Sequence, residues 1–226
     1  MASLLEGAQN AEGVVVIIDV YRAFTTEAIA FQQGVEKMIL VAEIDEALKL
    51  REQGVGDLCV GEVDGKRPEG FDFNNSPHEL SLADIAGKVL IHSTRAATVG
   101  VTASKKADVI YGGSLAVAQA TVEAIQKQNA KVVTLVAMGW AGHTRTDEDE
   151  QCALYLRNVL EGRNPDIEAV RSLILSSKES LKFGDPSMPH FYAEDRDLAL
   201  QVNRADFAIR ISKEDDLLVA RPEFVG

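Results

Sequence analysis

The chain has 226 residues, 46% of them hydrophobic, with a formal net charge of -12. That length and apolar content support one large domain, or two closely packed lobes, over a string of small modules. The acidity argues against an extended nucleic-acid or anionic-membrane surface, both of which need a basic field, yet it leaves room for a small anionic ligand held by a few arginines in a cleft.

The opening "MASLLEGAQNAEG" lacks a basic segment followed by a continuous apolar stretch, so no secretory signal is expected. No apolar run approaches membrane-spanning length. Cys59 and Cys152 are the only cysteines and do not make a disulfide framework, so a reduced cytoplasmic setting is expected. In chain order, "VVVII" (14–18) predicts a buried strand, followed by a helix near 25–33 that stops at Gly34. "EKMILVA" (36–42) leads to the helical "IDEALKLREQG", with Asp45 as cap and Gly54 as stop. "LCVGE" follows, then "GEVDGKRPEGFDFNNSPHELS" (61–81), rich in glycine, proline and asparagine, which reads as a functional loop or a hinge. "KVLIHS" (88–93) precedes a weak helix, "DVIYGGS" (108–114) precedes "LAVAQATVEAIQKQ", and "KVVTLVAMG" (131–139) precedes a helix over about 147–161.

This alternation predicts a three-layer α/β fold: a largely parallel or mixed sheet with helices on both faces. "DFAIRI" and "DLLVARP", close together around an acidic turn, predict an antiparallel C-terminal edge or a small subsidiary sheet.

Ligands of such sheets sit beyond the carboxyl ends of the strands. The residues there are Asp19, Arg22, Thr25 and Thr26 after the first strand, Glu62 after "LCVG", and His92, Ser93, Thr94 and Arg95 after "KVLI". Gly112 to Ser114, and Gly139, Gly142, His143 and Arg145, follow the next two strands. In "TDEDEQCALYLRNVL", Cys152, Ala153, Leu156, Val159 and Leu160 form an apolar stripe, and Glu148 and Asp149 lie one turn earlier on its line, so one or both should lean toward the sheet edge. Glu150 falls on a mixed, solvated face. Acids in a first helical turn are by themselves explained by the helix dipole; Asp19 opposite them is what raises a ligand reading. Oxygen ligands from two separate segments with arginines nearby suit Mg2+ shared with a phosphate, with Asp19, Glu148 and Asp149 as the metal set.

Five stretches, "VIIDVYRAFTT", "GEVDGKRPEGFDFNNSP", "HSTRAATVG", "GGSLAVAQA" and "DEDEQCA", together resemble the 2-phosphosulfolactate phosphatase family over roughly residues 14–160. The resemblance implies a magnesium-dependent phosphatase acting on 2-phospho-3-sulfolactate, or on another small phosphorylated anion. Asp19 and Arg22 match the family's Asp-Val-x-Arg-Ala, Glu62 its Gly-Glu, and Gly70, Phe71, Asp72, Asn75, Ser76 and Pro77 its Gly-Phe-Asp-x-x-Asn-Ser-Pro. Many members carry Thr-Thr-Asn-Gly-Thr-Arg-Ala where this chain has Ser93 to Val99, so both the asparagine-glycine turn and the arginine are missing from their usual positions, and Arg95 is expected to supply the charge from another place. On this reading Asp19, Glu62 and Asp149 are catalytic, with Glu62 the acid for the leaving oxygen, and Arg22, Thr25, Asn75, Ser93, Thr94 and Arg95 bind phosphate or substrate. Three rivals stand beside it. A haloacid-dehalogenase-like phosphatase would need an acid where Tyr21 stands, a cysteine hydrolase would need Cys152 off its apolar helix face, and a non-catalytic anion binder would use the altered 93–99 loop. The oligomeric state is open, a homodimer included.

Overall fold

The computed structural model describes residues 1–226. The chain begins with a short strand β1 (Ala2–Ser3) and helix α1 (Leu4–Asn10), then enters β2 (Glu12–Ile18). Val14, Val16 and Ile18 of β2 enter one core and Val15 and Ile17 another, and all are buried. A strand with a core on each side has no solvent face, which is why its sequence shows no alternation. Burying these side chains contributes on the order of 10 kcal/mol before conformational entropy is subtracted.

There follow α2 (Ala23–Gln32), β3 (Lys37–Val41), α3 (Ile44–Glu52), β4 (Leu58–Gly61), β5 (Phe73–Asn74), α4 (Pro77–Ser81) and β6 (Val89–Ser93). The second half holds α5 (Ala97–Ala103), β7 (Lys106–Gly113), α6 (Ala118–Lys127), β8 (Val133–Ala137), α7 (Asp147–Leu160), α8 (Ile167–Leu175), α9 (Ala193–Ala199), β9 (Phe207–Glu214) and β10 (Leu217–Phe224). Glu43, not Asp45, occupies the N-cap of α3, and Asp45 sits within its first turn.

All the strands join one sheet in the order β1-β8-β2-β7-β9-β10-β3-β6-β4-β5. The strands β1, β8, β2 and β7 are parallel, and so are β3, β6, β4 and β5. The hairpin β9–β10 is antiparallel, as expected, but it lies in the middle of the sheet and joins the two parallel halves, not at an edge. Burial explains the difference: Phe207, Ala208 and Ile209 are consecutive buried residues, and Val219 and Ala220 are buried side by side, so neither strand has a solvent face. Asp215 and Asp216, both at positive φ, make the two-residue turn between them.

Helices cover both faces. α6, α7 and α8 pack over β2, β7 and β8, with α3 on the same side of the other half, while α1, α2, α4 and α5 share the opposite core. Every residue of α2 from Ala23 to Phe31 is buried, as for a helix enclosed on all sides. Although α5 follows β6, it packs against α1 and β2 in the other half. Gly100 permits this approach, since a Cβ there would lie 2.5 Å from the Met138 sulfur. The chain thus carries the loop after β6 back toward the end of β2. No helix is long and apolar enough to cross a membrane.

Candidate active site

The end of β2 runs directly into α2, and Asp19 makes the joint. Its Oδ1 accepts the Ala23 N–H at 3.1 Å, satisfying a backbone donor that the first helical turn leaves free. Asp149, in the first turn of α7, braces the same corner: Oδ1 accepts the Val20 N–H at 2.7 Å and Oδ2 the Gly139 N–H at 2.8 Å. One carboxylate therefore locks the strand ends of β2 and β8 together. Asp149 is not part of the cavity wall beside it. Where the sequence suggested a metal ligand, the structure puts both of its oxygens against backbone donors.

The cavity opens between these strand ends and the 61–81 stretch. Among the expected site residues Asp19, Arg22, Glu62, Asn75, Arg95 and Glu148 line it. Asp64 and Gly65, both at positive φ, turn the loop after Glu62, and Glu62 Oε2 accepts the Gly65 N–H at 2.6 Å. This hydrogen bond folds the loop back over the end of β4.

Arg22 is buried and heavily engaged. Nη1 donates to Asp195 Oδ2 at 2.7 Å and to the His190 carbonyl at 3.1 Å, Nη2 donates to the Gly65 carbonyl at 3.0 Å, and the guanidinium lies 4.9 Å from the centre of the Phe191 ring. Asp195 also accepts from the Ser76 hydroxyl at 2.6 Å and the His78 N–H at 3.0 Å. The pair clamps α9 and the start of α4 onto the cavity. It leaves Arg22 only its Nε–H and one Nη2–H for a ligand.

The cavity's remaining cations are also paired: Arg95 with Asp64 at 3.5 Å, and Lys182 with Glu179. Lys182 also lies 4.3 Å from the centre of the Trp140 ring. With Arg22 tied to Asp195, the carboxylates of Asp19, Glu62 and Glu148 face the cavity with no cationic side chain paired to them. Burial, more than the nearby Glu62 charge, pushes Asp19 up to about 6, against the pull of the Ala23 N–H. Burial, with repulsion from Glu179 and Asp19, pushes Glu148 up to about 7. Glu148 Oε2 is buried without a hydrogen-bond partner. A buried, unpartnered carboxylate oxygen beside a second buried carboxylate fits a divalent cation with hard oxygen ligands. No three acidic, histidine or cysteine side chains gather into a cage, so the donors here would be Asp19 and Glu148, completed by water and ligand oxygens.

Three of the expected anion-binding residues serve the backbone instead. Thr25 Oγ1 donates to the Val20 carbonyl at 2.8 Å, Ser93 Oγ to the Ala42 carbonyl at 3.4 Å, and Thr94 Oγ1 accepts the Thr98 N–H at 3.3 Å at the start of α5. None lines the cavity. Short hydroxyl side chains at buried strand ends and in first helical turns satisfy local backbone groups first. Glu150, expected in solvent, is part-buried and accepts from Ser3 at 2.6 Å. Cys152 is fully buried, its thiol pushed well up by burial, as an inert core residue should be.

Sequence reasoning missed Tyr21, Trp140, Glu179, Lys182, Phe183 and Phe191 in the wall, and Asp195 behind it. The segment around His190 and Tyr192 lies beside the site, where the His190 carbonyl and the Phe191 ring contact Arg22. For Lys182 no pattern in the sequence pointed to the cavity.

The model of the family described as 2-phosphosulpholactate phosphatase matches residues 2–184. A Bacillus subtilis protein named probable 2-phosphosulfolactate phosphatase is 29% identical over 206 residues, covering 89% of this chain and 88% of its own. Proteins of the same name are 34% identical over 154 residues in Clostridium acetobutylicum (68% of this chain, 65% of that one) and 27% identical over 172 residues in Thermoplasma volcanium (76% and 79%). With most of its length matched, and the matched region supplying all the cavity residues named above except Phe191, this chain belongs to the 2-phosphosulpholactate phosphatase family.

Proposed function

We propose that this protein is a phosphoric monoester hydrolase that converts 2-phospho-3-sulfolactate to 3-sulfolactate and phosphate, with magnesium as its cofactor. Family membership and the names of the relatives support the reaction and its substrate. The charge inventory of the cavity supports the metal: Asp19, Glu62 and Glu148 have no cationic partner, so a substrate bearing phosphate, sulfonate and carboxylate groups would meet net repulsion. That imbalance is the observation that carries the metal-dependent reading.

Asp19 and Glu148 would hold the ion, which supplies Lewis-acid polarisation of a phosphoryl oxygen and offsets the developing charge. The free edge of Arg22 and the half-exposed Arg95 bind the remaining phosphoryl oxygens. A water oxygen attacks phosphorus while the bond to the ester oxygen breaks, and Glu62 takes the proton that the water loses and gives it to the leaving ester oxygen, ending ionised as it began. Asp149 does no chemistry in this scheme. It holds the β2 and β8 ends, and so Asp19, in place. The two cysteines are free and buried, consistent with a reduced cytoplasmic setting.

The test is phosphate release from 2-phosphosulfolactate and a panel of phosphorylated carboxylates, in Mg2+ and in chelator. The expected result is Mg2+-dependent turnover with the highest kcat/KM for 2-phosphosulfolactate. Turnover unchanged in chelator would remove the metal, and tight binding without turnover would make the protein a binder of this anion.

A further inference from the structure

Behind the cavity wall lies a buried polar chain that the reaction scheme does not use. Glu27, on the enclosed helix α2, is fully buried, and its Oε1 lies 3.0 Å from His92 Nδ1; His92, near the end of β6 and between β3 and β4, is also buried. The other ring nitrogen, Nε2, lies 3.3 Å from Oδ1 of Asn75, which lines the cavity. Two ionisable side chains are costly to enclose in an apolar helix–sheet interface, so their arrangement needs a reason beyond packing.

The atoms that face one another supply one. The Asn75 backbone is already fixed, its N–H donating to the Gly61 carbonyl at 3.1 Å and to Asn74 Oδ1 at 2.9 Å. Only the amide's rotation is left to settle. An amide oxygen accepts and never donates, so its contact with Nε2 requires a proton on that nitrogen. With Nε2–H held on Oδ1, the NH2 group of Asn75 is left for the cavity, where it meets no protein acceptor. Turned the other way, the amide would present its oxygen to the bound anion and repel it.

We infer that Glu27 and His92 are a positioning pair that fixes the side-chain amide of Asn75 with its NH2 toward the cavity, making Asn75 a donor to an oxygen of the phosphate group. Glu27 fixes the ring through Nδ1, the ring fixes the amide through Nε2, and the amide touches the ligand. The inference rests on the phosphatase reading above and adds to it two residues outside the cavity wall.

Calorimetry with inorganic phosphate in Mg2+ buffer tests it. Losing a hydrogen bond to a charged group, Asn75→Ala should weaken phosphate binding roughly tenfold to a hundredfold. The double variant Glu27→Gln/His92→Leu, which leaves no buried charge unpaired, should weaken it roughly threefold to tenfold by freeing the amide. In the Asn75→Ala background the same double change should have no further effect, because the pair acts only through Asn75. Additive losses, or full affinity in Glu27→Gln/His92→Leu, would overturn the inference. A second readout needs no variant: nitrogen NMR of the wild-type protein should show a proton on Nε2 of His92, and its absence would overturn the inference even if the double variant does not fold. A wild-type protein that turns substrate over but shows additive losses refutes this inference alone; one that neither binds phosphate nor releases it refutes the functional reading as well.

Discussion

Replacing Glu148 with glutamine should change how the metal-free protein responds to pH. Burial and the neighbouring carboxylates raise Glu148 from its ordinary 4.5 to about 7, and Asp19 from 3.8 to about 6. A group whose pKa is raised on folding contributes stability that is fully present below its unfolded pKa and is lost as pH rises through the folded one. Stability should therefore fall between about pH 4 and pH 7, by about 3 kcal/mol for each group taken alone. At about 2–4 °C per kcal/mol for a chain of this size, Glu148 accounts for a drop of roughly 6–12 °C in Tm. In Glu148→Gln the drop from pH 5 to 7.5 should shrink by about that amount. Mg2+ should restore the wild-type Tm at pH 7.5, do little at pH 5 where protons occupy the carboxylates, and do less for the variant at either pH. Differential scanning fluorimetry in chelator and in MgCl2 measures all of this. Identical Tm–pH slopes for wild type and variant would refute the argument that Glu148 is held in the cavity against its charge.

Asp149→Asn offers an NH2 group to one of two backbone donors, leaving an N–H unpaired; a loss of about 1–3 kcal/mol is expected by urea denaturation, with kcat falling because Asp19 shifts with the β2 end. Arg22→Ala strands the buried Asp195 carboxylate and should cost about 3–5 kcal/mol in the same assay, far more than an exposed ion pair would. Arg95→Ala, at a side chain 55% exposed, should raise KM while leaving Tm within a degree or so of wild type. The thiol of Cys152 should resist alkylation in the native state, and alkylation that abolishes activity would reopen the cysteine-hydrolase reading.

The sequence carried the layer architecture because β-strands buried on both faces advertise themselves as apolar runs, and "VVVII" and "KMILV" became β2 and β3 as expected. It could not place the C-terminal hairpin. The antiparallel pairing of β9 and β10 is a local property, legible in two short runs around an acidic turn, whereas their central position depends on what packs against their two faces. Asp19 and Glu148 were legible for a related reason, since a carboxylate at a strand end and another on the apolar line of a helix both point to the sheet edge. Asp149 shares that line, but a difference of one position on α7 turns its oxygens toward the Val20 and Gly139 backbone. The partners of Arg22 were invisible. Asp195 lies far along the chain in a helix of no distinctive pattern, and only the folded path brings it to the guanidinium at 2.7 Å.

The most direct test is a crystal structure grown with Mn2+ in place of magnesium and soaked with inorganic phosphate, read from the anomalous signal of the metal. The account predicts one ion bound through carboxylate oxygens of both Asp19 and Glu148, with a phosphate oxygen completing its coordination. An ion seated elsewhere, or no ion in the cavity at saturating Mn2+, would contradict it.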